Sequence, residues 1–233
     1  MEKIAAWAVH LFTASGLVAG FFGLLAAIES DYRMAMFWML IALIIDGVDG
    51  TFARMARVQE ILPGVSGKTI DYVIDFFTYA ILPAYLFYVA IPLDGILQLV
   101  GLIAILMSSA VYYGIDEMVS EDGHHFIGFP VMWNMVLYIY IFLMPDAQPI
   151  IFFIATIAFA VLHFVPILVP YPSRGGRFFR LTLVVTVLFL GSALVNVYVY
   201  PEQSVAGQVV AWLSVAYFAG ITAYNTLSQK AGT

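Results

Sequence analysis

The length of the uncharged runs constrains the fold of this chain more than any other feature of its sequence. Between Lys3 and Glu29 there are 25 consecutive residues without Asp, Glu, Lys or Arg, and six later runs of this kind have 18 to 27 residues each. A helix needs about 20 mostly apolar residues to cross the hydrocarbon core of a membrane. The runs therefore indicate an integral membrane protein with several spanning helices.

One further segment is too short to cross by itself, because only 12 uncharged residues separate Arg33 from Asp46. It becomes a span if the helix continues past Asp46 and Asp49 to about Arg54. The apolar runs are continuous and longer than the strands of a membrane barrel. We therefore predict a single all-α domain, residues 1–233, with eight transmembrane helices near residues 5–28, 34–56, 68–91, 95–115, 126–144, 148–169, 181–200 and 205–227.

Composition narrows the classes of function. Charged residues make up 10% of the chain, whereas soluble domains have about 25%. The net charge of -6 offers no basic field for a nucleic acid, and the chain has no cysteine for disulfides, thiolate metal sites or nucleophilic catalysis. These properties exclude a soluble enzyme, a disordered chain and a nucleic-acid-binding protein.

The basic residues predict the orientation of the helices. Eight spans place both termini on one side of the membrane, and Lys and Arg accumulate in cytoplasmic loops. Only Arg33 lies on the opposite side when both termini are cytoplasmic. The basic residues then on the cytoplasmic side are Lys3, Arg54, Arg57, Lys68, Arg174, Arg177, Arg180 and Lys230.

Four carboxylates interrupt the second and third predicted spans: Asp46, Asp49, Asp71 and Asp75. An ionised side chain at the centre of a span costs roughly 2.5–3.5 kcal/mol, so acids there usually have a function. With about 100° of rotation per residue, Asp46 and Asp49 lie about 60° apart on one helical face. Asp71 and Asp75, at positions i and i+4, also share a face. Each helix thus presents a pair of acids in one direction.

The depths of the two pairs also match. Because the second and third spans are antiparallel, Asp49 and Asp71 lie roughly 5–8 Å from the basic ends, and Asp46 and Asp75 roughly 10–12 Å. One or two hard divalent cations would relieve the repulsion between the carboxylates, and all-oxygen ligation suits Mg²⁺ or Mn²⁺. A cation transporter is the alternative from another class, but transporter sites usually lie near the midplane between repeated halves.

These acids belong to an ordered pattern of eight residues with a twelve-residue spacer, D-x-x-D-G-x-x-A-R and then G-x-x-x-D-x-x-x-D. The pattern resembles the signature of the CDP-alcohol phosphotransferase family. The spacer is longer than is usual in that family. Its length resembles that of a bacterial branch of the family whose acceptor alcohol is choline, and the stretches 128–134 and 174–183 also resemble this branch. The eight positions are Asp46, Asp49, Gly50, Ala53, Arg54, Gly67, Asp71 and Asp75.

The resemblance implies a role for each position of the pattern. Asp46, Asp49 and Asp71 would hold Mn²⁺ or Mg²⁺, with two ions expected. Asp75 completes the set of candidate metal ligands and would also act as the general base toward the acceptor alcohol. The residues implied for the nucleotide site are Asp49, Gly50, Ala53, Arg54 and Gly67.

The same resemblance implies a reaction. A phosphatidyl group would pass from CDP-diacylglycerol to free choline with release of CMP. The site would face the cytoplasm within a bacterial inner membrane, among membrane lipids. Glycerol 3-phosphate, serine and inositol remain alternative acceptors, and dimers are common in the family.

A quaternary ammonium group has no proton to donate, so choline requires aromatic faces or a nearby anion. Several residues of the chain offer one or the other, although membrane packing explains most aromatic residues equally well. The candidates for the choline site are Tyr79, Tyr112, Tyr113, Trp133, Asn134 and Glu117.

Overall fold

The computed structural model describes residues 1–115, 118–172 and 174–231. Within these ranges it has nine helices and one two-stranded antiparallel ribbon. The helices are α1 Glu2–Ile28, α2 Tyr32–Met55, α3 Val58–Ile61, α4 Gly67–Ala90, α5 Gly95–Tyr113, α6 Trp133–Leu143, α7 Pro149–Leu162, α8 Phe179–Val199 and α9 Val205–Ala231, and the strands are β1 His125–Ile127 and β2 Leu168–Pro170.

The all-α membrane fold is confirmed. In the described part of the chain, six helices are long and apolar enough to cross a membrane, namely α1, α2, α4, α5, α8 and α9. The remaining apolar helices, α6 and α7, have fewer than 18 residues. The bounds predicted for the fifth and sixth spans, 126–144 and 148–169, were therefore wrong, since α6 begins only at Trp133 and α7 ends at Leu162.

Backbone geometry explains why these two spans are short. Gly128 has a φ of 85°, a left-handed conformation that ends any regular helix there, and Pro130 follows. The Gly128 N–H donates to the carbonyl of Ile167 and the Phe129 N–H to that of Leu162, both at 2.9 Å. These bonds and the β1–β2 pairing satisfy the backbone of a non-helical segment that lies against the end of α7.

Side-chain caps set the beginnings of the two acidic helices. The Asp31 carboxylate accepts from the Met34 N–H at 2.9 Å and caps α2. The Ser66 hydroxyl accepts from the Thr69 N–H at 3.2 Å and caps α4. Each cap satisfies one of the free N–H groups at a helix start. The long spacer of the motif contains α3, an extra helical turn between these helices.

Small residues of α1 allow α4 to approach closely. A Cβ added at Gly20 would lie 2.7 Å from the Thr78 Cγ2 atom, which is closer than real carbon contacts. Two other glycines of α1 meet α4 in the same way, at 3.0 and 3.2 Å. The helix that presents Asp71 and Asp75 is therefore supported along its length by α1. The three contacts are Gly16 with Ile74, Gly20 with Thr78 and Gly23 with Leu82.

Two of the described helices contain a wider, π-helical turn. In α4 this turn is Phe76–Ile81, between α-helical segments Gly67–Asp75 and Leu82–Ala90. In α6 it is Ile139–Leu143, after Trp133–Tyr138. Such turns are rare and occur frequently at functional sites. The one in α4 begins directly after Asp75.

Candidate active site

Three acidic side chains of α2 and α4 meet between the two helices. Asp46 and Asp49 come from the second half of α2, and Asp71 from the beginning of α4. One carboxylate oxygen from each lies within 4.8 Å of the other two. Asp49 is buried, whereas Asp46 and Asp71 are half-buried. The structure thus brings together three of the four acids that the helical spacing predicts on facing surfaces.

Asp75 lies one helical turn beyond Asp71 on α4 and is not part of this acid triad. Its Oδ1 atom is buried and has no hydrogen-bond partner in the described part of the chain. A buried polar atom without a partner is costly, so such positions usually mark a functional site. A proton, a cation or a substrate hydroxyl would satisfy this oxygen.

The acid triad fits a hard divalent cation. Oxygen ligands bind Mg²⁺ or Ca²⁺ at about 2.0–2.6 Å, so two ligands of one ion are at most about 5 Å apart. The separation of up to 4.8 Å between the three carboxylate oxygens satisfies this limit. The donors are all oxygen, which favours hard cations over zinc or copper. The residues that would hold the ion are Asp46, Asp49 and Asp71.

Helix α1 contributes to the site in a way that the sequence interpretation missed. The Thr13 side chain lies beside the Asp49 carboxylate, and the His10 ring lies 3.4 Å from the Cβ position of Gly67. His10 is buried, and its Nε2 atom has no hydrogen-bond partner among the described residues. The spacing His10, Thr13, Gly16 places these residues on one face of α1, which is the signal that could have identified them.

The predicted nucleotide residues differ in their surroundings. A Cβ at Gly50 would lie 3.5 Å from the Nη1 atom of Arg54, and the Arg54 Nη2 atom donates to the Thr51 hydroxyl at 3.0 Å. Arg54 is exposed and Ala53 half-buried, so this end of α2 is accessible. Gly67, in contrast, faces α1 and its His10 ring.

Three choline candidates lie in the interior of the bundle. Trp133 and Asn134 are fully buried, and the Trp133 indole N–H donates to the Ser109 hydroxyl at 2.9 Å. Tyr112 is 2% exposed, and its hydroxyl donates to the Ile127 carbonyl at 3.0 Å. These side chains pack the region around α5 and α6, and none of them presents an open surface.

The other choline candidates lie elsewhere. Tyr79 is buried and its hydroxyl donates to Asp46. Tyr113 is half-buried at the edge of a groove of about 550 Å³ between α1, α4 and α5, where its ring is 5.5 Å from that of Tyr72. Glu117 lies outside the described residues. Tyr79 and Tyr113 are therefore the candidates on the side of the bundle where the acids lie.

The segment after β2 carries an arginine within electrostatic range of the acids. The Arg174 guanidinium lies 4.5 Å from the centre of the Tyr171 ring, and that ring stacks on Phe126 of β1 at 4.4 Å. Arg174 is close enough to interact electrostatically with Asp71. The ribbon thus places a positive charge near the acid triad, although the sequence places the two about a hundred residues apart.

The loop before β1 retains negative charge. The Ser120 hydroxyl donates to Asp122 at 2.6 Å and the His124 backbone N–H donates to it at 2.9 Å. These hydrogen bonds hold the pKa of the Asp122 carboxyl below its usual value. The carboxylate is therefore ionised at neutral pH, near the ribbon that presents Arg174.

Curated relatives resemble the chain over almost its full length. The phosphatidylcholine synthase of Agrobacterium fabrum is 36% identical over 222 residues, which are 94% of this chain and 91% of that protein. The one of Pseudomonas aeruginosa is 32% identical over 100% of this chain and 96% of that protein. The one of Borreliella burgdorferi is 31% identical, with coverages of 95% and 93%. No family model matches the chain.

The bundle of apolar helices and the acid motif define a multi-pass integral membrane protein of the CDP-alcohol phosphotransferase class. The identities above, each over more than nine-tenths of both proteins, narrow this class further. The chain belongs to the phosphatidylcholine synthase family.

Proposed function

We propose that this chain transfers the phosphatidyl group of CDP-diacylglycerol to choline and releases CMP. The convergence of Asp46, Asp49 and Asp71 between α2 and α4, with Asp75 one turn away, is the observation that supports it most directly. The relatives that share most of the chain are named phosphatidylcholine synthase, which supports choline over other acceptors.

The acid triad would hold one or two Mg²⁺ or Mn²⁺ ions between the helices. Such ions, when bound, neutralise the pyrophosphate and stabilise charge at the phosphorus that is transferred. Asp75 accepts the proton of the choline hydroxyl, because its Oδ1 atom is buried and has no partner in the described structure. The choline oxygen then forms a bond to the phosphorus of the phosphatidyl group, and the bond from this phosphorus to the CMP oxygen breaks.

The C-terminal end of α2 would bind the nucleotide. Gly47 has no described atom within 4 Å of its Cβ position, and Gly50 meets only the Arg54 side chain. The absent side chains leave room for CDP against the helix, and Arg54 would pair with its phosphates. Asp49 and Ala53 complete this surface. Gly67 contributes indirectly, by allowing α1 to approach the beginning of α4.

We place the choline site on the Tyr113 side of Asp75. Tyr113 is half-buried and within electrostatic range of Asp75, and an aromatic ring attracts a quaternary ammonium. Glu117, which follows Tyr113 in the sequence, stays a candidate for the counter-charge. Trp133 and Asn134 would act as packing residues that support this region.

We propose further that the site faces the cytoplasm of a bacterial inner membrane, with both termini on that side. An ion pair of 3.1 Å joins Glu2, at the beginning of α1, to Arg57, just after α2, so these basic segments lie at one end of the bundle. A homodimer also remains an expectation from the family.

An acceptor assay with matched variants tests the reaction. Purified protein, with CDP-diacylglycerol and Mg²⁺ or Mn²⁺, should release CMP with choline, while serine, inositol and glycerol 3-phosphate give little. Asp75→Asn should lower kcat by about 10²–10⁴-fold, because it removes the base. Asp94→Asn is the control, since this exposed carboxylate lies beyond the opposite end of α4 and makes no capping hydrogen bond.

Two results would contradict this proposal at different levels. Absence of metal-dependent CMP release with every alcohol would refute the transferase assignment. Release with serine or glycerol 3-phosphate, and none with choline, would refute only the acceptor. Turnover of Asp75→Asn close to that of Asp94→Asn would remove Asp75 from the role of base.

A further inference from the structure

A buried tyrosine hydroxyl contacts the acid triad from the apolar interior. The Tyr79 hydroxyl lies 2.7 Å from the Oδ2 atom of Asp46, and Tyr79 is only 5% exposed. A carboxylate can only accept hydrogen bonds, so the hydroxyl is the donor. A hydrogen bond to a charged acceptor is short and strong. One oxygen of Asp46 is thus bound to α4, the helix that also provides Asp71.

The position of this hydroxyl depends on the π-helical turn of α4. Tyr79 lies within Phe76–Ile81, and the Leu82 N–H donates to the carbonyl of Phe77, five residues earlier. Pro83 has no N–H to offer to the carbonyl of Tyr79, which removes one α-helical hydrogen bond at this turn. The wider turn changes the direction of the side chains after Asp75, and Tyr79 is one of them.

Burial argues against a direct role of Tyr79 in holding choline. The ring belongs to the apolar core, where it is surrounded by side chains of neighbouring helices. Its polar atom is already engaged with Asp46. A cation held by aromatic faces would need an open ring face, and Tyr113 offers one more readily than Tyr79 does.

We propose that Tyr79 is a positioning residue, which fixes the Asp46 carboxylate by its hydrogen bond and so prepares the acid triad for a divalent cation. Without this bond, Asp46 would rotate about its side-chain torsions and its repulsion from Asp49 and Asp71 would drive it away from them. Partners of metal ligands typically change metal affinity by 10–100-fold when removed. The inference rests on the proposed function only in taking the cation as the ligand of the triad.

Direct cation binding tests the role of Tyr79. The full chain is purified in detergent, and free Mn²⁺ is measured by electron paramagnetic resonance during titration. Tyr79→Phe should raise the Kd for Mn²⁺ about tenfold or more. Mn²⁺ in excess should restore most of the rate of CMP release, because Tyr79 does not touch the reacting atoms. The temperature of unfolding without metal should fall only modestly, because the variant loses one buried hydrogen bond and keeps the ring.

Tyr140→Phe is the matched control. Tyr140 is also a buried tyrosine, 4% exposed, and its hydroxyl lies 3.3 Å from that of Thr156 on α7. It lies on α6 and not on either acidic helix. The control should leave the Mn²⁺ affinity unchanged. If Tyr79→Phe does not fold, Tyr79→Met replaces it, since the flexible methionine fills the same space without a hydroxyl.

The outcomes separate this inference from the proposed function. An Mn²⁺ affinity of the folded Tyr79 variant within twofold of the Tyr140→Phe control would overturn the positioning role, even if choline-dependent CMP release is normal. A tenfold loss of affinity supports the role even if no alcohol yields CMP, because binding is measured without substrates. A loss of rate that excess Mn²⁺ does not restore, with unchanged Mn²⁺ affinity, would also overturn it.

Discussion

At the scale of single residues, the acid triad has opposite effects on stability and function, because its carboxylates repel one another without a cation and attract one that binds. Asp46, Asp49 and Asp71 lie within 4.8 Å of one another at their ligand atoms, and Asp49 is buried. Like charges so close repel, and burial makes the repulsion stronger because the effective dielectric constant is lower than that of water. The bundle has to hold them together through the packing of α1 against α4. A bound cation would convert the repulsion into attraction.

The repulsion within the triad predicts that one substitution changes the unfolding temperature in opposite directions in the absence and in the presence of metal. Asp49→Asn should raise the unfolding temperature of the metal-free protein, because it removes one of three repelling charges. In unmodified protein, a cation at 100 times its Kd should stabilise the fold by about 2.7 kcal/mol, and the variant should lose most of this gain. Thermal unfolding in detergent with Mg²⁺, Mn²⁺ or a chelator measures both effects. An equal response to Mn²⁺ in the two proteins would exclude Asp49 as a ligand.

At the scale of elements, the site depends on three helices, although only two of them carry the acids of the motif. Helix α1 contacts α4 through Gly16, Gly20 and Gly23, and Thr13 lies beside Asp49. Small residues let helices of a membrane protein approach closely, where van der Waals packing is an important source of association. The separation between α2 and α4 at the acids therefore depends on a helix outside the motif.

The α1–α4 contact predicts a difference between two glycine substitutions. Gly20→Ala would place a methyl group 2.7 Å from the Thr78 Cγ2 atom and should destabilise the bundle by about 1–3 kcal/mol through overpacking. Gly191→Ala, in the middle of α8, has no described atom within 4 Å of its Cβ and should be neutral or slightly stabilising. Thermal unfolding and CMP release compare the two. Equal stability of the two variants would show that α1 and α4 do not require Gly20.

At the scale of the whole molecule, the distribution of charge relates the site to the membrane. The acids lie near the ends of α2 and α4 that are joined by the motif spacer, and Arg54, Arg57 and Lys68 lie at those same ends. A donor with a charged nucleotide and two acyl chains requires a site near the membrane–water boundary. The segment between β1 and Trp133, before the short helix α6, is not helical. Arg174, in the segment after β2, lies within electrostatic range of Asp71.

The absence of cysteine from the sequence allows a direct test of orientation. Glu60→Cys, in α3, and Asp94→Cys, between α4 and α5, introduce single thiols at exposed positions on opposite ends of α4. In intact bacterial cells with a permeable outer membrane, a membrane-impermeant maleimide should label only the variant at position 94. The variant at position 60 should react after the inner membrane is opened. Labelling of position 60 in intact cells would contradict the proposed topology and indicate the opposite orientation.

Most of the helices, and the acidic motif that indicates the chemistry, can be recognised from the amino-acid sequence alone. Long uncharged runs indicate helices that span a membrane, and the predicted bounds of α1, α4, α5, α8 and α9 agree with the structure within a few residues. The bounds of α2 agree as well, because its predicted helix continues past Asp46 and Asp49. The i, i+3 and i, i+4 spacings of the acids placed them on two faces without any tertiary information. The bounds of α6 and α7 were not predictable in this way, because a continuous apolar stretch does not reveal a turn at Gly128. The N–H groups of Gly128 and Phe129 pair with the carbonyls of Ile167 and Leu162, which are distant in sequence.

The residues from other parts of the chain that support the acids become visible only in the folded bundle. Thr13 and Tyr79 contact acidic side chains, and the His10 ring packs against Gly67 at the start of α4. In the sequence these residues look like ordinary members of apolar spans, because a side chain in a membrane helix can face either lipid or a neighbouring helix. Tyr79 lies in a π-helical turn, which rotates its side chain relative to a regular α-helix. A projection of the sequence onto a regular helix therefore does not predict that its hydroxyl meets Asp46. Contacts between helices depend on the rotation of each helix about its axis and on the angles at which helices cross. The packing of the folded bundle sets the rotation and the crossing angles.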